Sequence, residues 1–195
     1  MRIAVALDQL IELEERVGRL YTQFYGKWSD VPAVGGMWWE MAREEHEHAG
    51  VLKMVRELTH PEGQVADIRH RLRPLQAMIR KCEQVAAGRI TLSEALAMAV
   101  RLERSELDRL GRETVQAIRA ALPVIPRSAL APHEAHLERL MRSVRKFGGE
   151  EVTRAAWDLR PEARAPAQPT RTRPPAGSEA APVGRKRRAQ GKGRR

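Results

Sequence analysis

The stretch Met37-Trp38-Trp39-Glu40-Met41-Ala42-Arg43-Glu44-Glu45-His46-Glu47-His48-Ala49 decides how the chain is read. Met37, Met41, Ala49 and Leu52 mark the inward face of a helix. Glu45 and His48 fall on that same face, one turn apart. An acid and an imidazole therefore stand where core side chains belong.

The flanking sequence repeats the pattern. Residues 3–27 place Leu7, Leu10, Ile11, Val17, Leu20, Tyr21 and Phe24 on one helical face, with Glu14 inside it. Ser29, Asp30 and Pro32 make a turn, and the second helix runs from about 32 to 58, ending at His60-Pro61-Glu62-Gly63. A looser linker helix covers 66–87, with Pro74 as a break and Gly88 as its end. Thr91 and Glu94 form a capping box that opens a third helix reaching about 121. Leu92, Leu96, Ala99, Leu107 and Leu110 define its face, and Glu103 and Glu106 lie on it. A fourth helix covers about 128–147 and ends at Gly148-Gly149. Its face holds Leu137, Leu140 and Val144, with His133 and His136 beside them. Strand signals are weak, so the expected fold is all-α: an antiparallel four-helix bundle with a linker helix between helices two and three.

The charge is divided unevenly. The 195 residues carry a formal net charge of +10, which taken as an average suggests a nucleic-acid binder. Residues 159–195 hold eleven Lys and Arg against two Glu, and the remainder is nearly neutral. The expected organisation is a folded body over 1–149 and a disordered Pro/Ala/Arg-rich tail over 150–195, too poor in large apolar side chains to offset its ordering entropy. The single cysteine, Cys82, excludes an intrachain disulfide, a four-Cys zinc site and a CxxC centre. No stretch approaches the ~18 apolar residues of a membrane span, and no signal-peptide core is present, so a cytoplasmic location without membrane association is expected. Phosphate-binding glycine loops and GxSxG are absent as well.

The acids on the inward faces carry the functional argument. One ionised carboxylate in an apolar core costs several kcal/mol, on the order of its desolvation, unless paired. Several converging carboxylates also repel one another. A pair of metal ions removes both penalties, and carboxylate with imidazole is a donor set suited to iron or manganese. At this point the sequence resembles the rubrerythrin-like branch of the ferritin-like superfamily. The 37–49 segment resembles its EExxHA helix, Glu14 with Tyr21 its first ligand helix, Glu103 to Glu106 its third, and His133 to His136 its fourth.

That resemblance spans about residues 3–146 and implies two iron or manganese ions held by Glu14, Glu45, His48, Glu103, Glu106, His133 and His136. Tyr21 would stand next to the ligands, hydrogen-bonding a carboxylate. The implied activity is ferroxidase- or peroxidase-type: oxidation of Fe(II), or reduction of peroxide or oxygen. A homo-oligomer is implied too. The family has Glu where this chain has His133, and the rubredoxin-type Cys pair of full rubrerythrins is missing. A reading of another class stays open: a metal-free structural bundle tethered to nucleic acid or a partner by its basic tail. Arg185-Lys186-Arg187-Arg188 and Lys192-Gly193-Arg194-Arg195 can neutralise phosphates of a nucleic acid or other polyanion. Ala181-Pro182-Val183-Gly184-Arg185 is loosely similar to peptides that dock cargo on a nanocompartment shell.

Overall fold

The computed structural model describes residues 1–59, 63–105, 107–121 and 134–150, and within these not the side chains of 120, 121 and 134–136. The described residues form six helices: α1 (Ile3–Trp28), α2 (Pro32–Leu58), α3 (Arg69–Ala86), α4 (Leu92–Glu103), α5 (Leu107–Ala121) and α6 (Glu134–Phe147). None of them is long and apolar enough to cross a membrane. Extended pairing among the described residues is one isolated bridge, Arg2 to Gln64, beside which Met1 and Val65 exchange backbone bonds of 3.0 and 2.9 Å.

α1 and α2 pack along each other as an antiparallel hairpin. Partners fall along α2 as they rise along α1: Asp8 pairs with Arg56, Glu15 with Lys53, and Tyr21 and Phe24 with Trp38. The turn is tight because Gly35 has no side chain. A Cβ there would meet Ser29 Cα and the Trp28 carbonyl at 3.1 Å. Gly35 thus lets the hairpin close, and neither it nor Gly36, which faces open space, interrupts α2. The stripe expected on α1 is buried, from Leu7 and Leu10 through Val17 and Leu20 to Phe24. Trp38 is fully buried between Tyr21 and Phe24, with ring centroids 5.8 and 4.8 Å away. Such ring contacts add ~1 kcal/mol each beyond the area they bury. Trp39 lies outside that cluster, 55% exposed against the Tyr25 ring.

Two expectations about helix ends are changed. Pro74 sits inside α3 without ending it. Proline removes one backbone bond to the residue four before it, here His70, and both residues are exposed, so water satisfies the freed carbonyl. The expected third helix is divided into α4, which ends at Glu103, and α5, which starts at Leu107. α4 opens on the Thr91–Glu94 capping box as expected, with Glu94 N–H donating to Thr91 Oγ1 at 3.2 Å and Thr91 N–H to Glu94 Oε2 at 2.8 Å. It closes when Ser105 N–H reaches back to the Leu102 carbonyl, three residues behind rather than four. Ser105 Oγ then accepts from Leu107 N–H at 3.3 Å and caps the helix that follows. The expected start of helix four near 128 and the tail from 151 fall outside the described residues. Cys82 is buried on α3, and burial pushes its thiol pKa up, as for an unreactive core cysteine.

Arg16 holds α3 on α1 through a two-pronged pair with Glu83, at 2.8 and 2.6 Å. The bond holds the Glu83 carboxyl below its usual range, mainly by hydrogen bonding from Arg16. A depressed carboxyl contributes stability that is present above the unfolded pKa and lost as pH falls through the folded one. Glu83 is one-third exposed, so solvent screening keeps the coupling near ~1 kcal/mol. Glu83→Gln should therefore cost about 1 kcal/mol at pH 7 and nothing once pH falls well below about 4. Urea melts of Arg16→Gln, Glu83→Gln and the double variant, at both pH values, measure it.

Candidate metal centre

Glu14, on the buried stripe of α1, is 2% exposed. Glu45 on α2 is likewise 2% exposed, and Glu103, the last residue of α4, is 8% exposed. Three acids placed by periodicity on apolar faces are thus buried together with those faces. Gly18, one turn after Glu14, brings α2 close at this level. A Cβ on it would lie 2.9 Å from the His46 ring and 3.3 Å from Glu45 Cβ. α5 crosses nearby, with the Gly111 Cβ position 4.0 Å from Glu14 Oε1.

Glu14, Glu45, His48 and Asp108 each offer one donor atom, and the four atoms lie within 4.8 Å of one another. His48 Nδ1 is 3.6 Å from Glu45 Oε2 and 3.9 Å from Asp108 Oδ1. His48 is at the rim, its side chain 37% exposed, and Asp108 is more enclosed at 14%. A cleft lined by Val17, Glu45, Leu102, Glu103, Leu107 and Asp108 opens beside them, with free space of about 10 Å³. That is roughly the room one water molecule requires.

Tyr21 donates its hydroxyl to Glu103 Oε1 at 2.6 Å inside the core, the contact expected of it. Burial, then the charge of Glu103, pushes the Tyr21 phenol well above its ordinary value, so it remains a donor. The carboxyls of Glu14 and Glu45 are also pushed well up. Burial is the first cause for both; repulsion by Glu45 and Asp108 follows for Glu14, and repulsion by Glu103 for Glu45. No donor among the described residues reaches the buried Glu14 Oε2.

The expected residues Glu14, Glu45 and His48 thus converge, and Glu103 stands on the Tyr21 side of Glu45. Glu106 and His133 lie outside the described residues, as does the side chain of His136 on α6. Asp108 is the member that periodicity did not single out. In an uninterrupted helix it would sit five residues, about 140° around the axis, from Glu103. The break between α4 and α5 resets that phase. The sequence signal was Ser105, a poor helix-interior residue and a good cap.

The donor set, three carboxylates and one imidazole, fits iron, manganese or a similar divalent ion. In comparisons of the chain with protein-family models, with curated proteins and with solved structures, none matched.

The raised Glu14 pKa has a thermodynamic sign. In the metal-free chain the folded state keeps a proton that the unfolded state loses above about pH 4.5, so stability falls as pH rises through the raised value. Glu14→Gln removes this titration. In EDTA at pH 8 the variant should be more stable than the parent by about 1–3 kcal/mol, with a flatter dependence from pH 5 to 8. Equal slopes in chemical denaturation would contradict it.

Proposed function

We propose that this chain is a ferritin-like, metal-dependent oxidoreductase of the dimetal-carboxylate type. One juxtaposition supports the reading: Glu14 of α1 and Glu45 and His48 of α2 bring donor atoms within 4.8 Å of one another between the buried face and its rim, with Glu103 beside Glu45. Two like charges ~4 Å apart cost about 4 kcal/mol at an effective dielectric of 20, and a divalent cation reverses the sign.

Glu14, Glu45 and His48 would hold metal directly. Glu103 would serve a second ion together with Glu106, His133 and His136. His133 adds a nitrogen donor and removes a negative charge relative to the family's Glu at that place. Iron or manganese held there would supply the redox chemistry, the two electrons by which one hydrogen peroxide, with two protons, becomes two waters. The chain's own groups shape that chemistry. Tyr21 fixes one Glu103 oxygen by hydrogen bond. Trp38, Phe24 and the leucines of α1 exclude water from the interior side. His48, at the rim, lies on the solvent-facing side.

The chain reconstituted anaerobically with Fe(II) or Mn(II) should retain about two metal ions per molecule by elemental analysis, about the complement such bundles carry. Glu45→Ala with His48→Ala should remove them and abolish peroxide-dependent oxidation. A parent chain that retains no metal sinks the reading and favours the alternative, a structural bundle whose basic tail tethers it to a polyanion. Under that alternative, binding to duplex DNA would weaken steeply with salt and be lost on removal of residues 160–195.

A further inference from the structure

We propose that Asp108 is a metal ligand, the fourth donor of a site formed with Glu14, Glu45 and His48, and that the break between α4 and α5 exists in its present place to aim it. The assignment rests on the metal-site reading above and alters its ligand set, because neither periodicity nor the family resemblance selects Asp108.

The bland account of Asp108 is electrostatic. It occupies the first turn of α5, where a carboxylate faces unpaired N–H groups and gains from the helix dipole. That gain is about 0.3–1 kcal/mol for a surface acid. Asp108 is not a surface acid, since its side chain is only 14% exposed, and its oxygen shares a 4.8 Å cluster with donors of two other acids. The dipole would act on an acid at the surface as well as on one inside such a cluster. The helix start alone therefore does not account for its position.

A second observation concerns Glu14. Glu14 is 2% exposed, and its Oε2 meets no donor among the described residues. A buried carboxylate oxygen ordinarily has a partner. Here the groups around that carboxyl are other acids and an imidazole, and its hydrogen-bonding neighbour is itself an acid, Glu45. A divalent ion there would be held by Glu14 and Asp108 together. The local backbone serves the same arrangement. Ser105 Oγ caps the start of α5, and Gly111 brings that helix near Glu14. Exposure falls from His48 at the rim through Asp108 to Glu45 and Glu14, which are equally buried.

The test is a titration of the full chain with Mn(II), followed by electron paramagnetic resonance, and with Co(II), followed by its visible absorption. Asp108→Asn should weaken the first Mn(II) bound by tenfold or more, at least the roughly 10–100-fold effect of losing a supporting group around a metal ligand. It should also shift the Co(II) bands. Glu113→Gln, which removes the same charge from an exposed position on α5, should do neither. If the parent binds metal, Glu45→Ala abolishes that binding, and Asp108→Asn behaves like Glu113→Gln, the assignment is overturned while the site stands. If the parent binds no Mn(II) or Co(II), both fall. Should Asp108→Asn not fold, Asp108→Glu carries the test: its longer arm must change the Co(II) spectrum, and an unchanged spectrum overturns the assignment.

Discussion

A carboxylate cannot remain ionised and alone in an apolar interior. It keeps its proton, finds a donor or holds a cation. Much of this molecule is arranged around that constraint. Glu103 meets it with the Tyr21 hydroxyl, at 2.6 Å. Glu14 and Glu45 meet it, in the bare chain, by moving their pKa values upward so that they hold protons longer. The three acids come from α1, α2 and α4, so the constraint is imposed where separate helices meet.

The surrounding core makes the constraint severe. Tyr21, Phe24 and Trp38 pack against one another on one side, so the interior cannot relax by admitting water there. The missing side chain of Gly18 lets α2 approach α1 beside Glu45, which sets the depth of that acid. Packing and polarity are therefore coupled. A larger residue at position 18 would move α2 outward and ease the desolvation of Glu45, but it would also separate the donors. The close approach is costly for a purely structural hairpin and useful for one that binds a small cation.

The hairpin and the first three acids were legible because they depend on periodicity. Leu7 through Phe24 hold one phase over 26 residues of unbroken α1, so any polar residue in phase, such as Glu14, is buried with them. The same holds for Glu45 in α2 and Glu103 in α4. Legibility ends where phase is lost. The break between α4 and α5 rests on a three-residue backbone bond and one serine cap, and these leave only a faint trace in a window of apolar residues. Asp108 was invisible for that reason. Pro74 shows the opposite error: a strong local breaker loses its force where the freed carbonyl faces water. Glu106, His133 and the His136 side chain lie outside the described residues.

On the proposed reading, folding and metal binding share one free-energy balance. Every acid buried without a cation lowers the stability of the bare chain near neutral pH, and every acid that ligates raises the affinity of the site. A ligand at a hundred times its dissociation constant stabilises the folded state by about 2.7 kcal/mol. That is a large fraction of the ~5–15 kcal/mol by which domains are stable. Binding must also displace the protons that burial retains on Glu14 and Glu45, so affinity rises with pH over the interval in which the bare fold weakens. Opposite pH trends in the bare and loaded states follow from those two carboxyls alone. They separate a metal centre from a set of acids tolerated by an otherwise apolar core, because tolerated acids would give the first trend without the second.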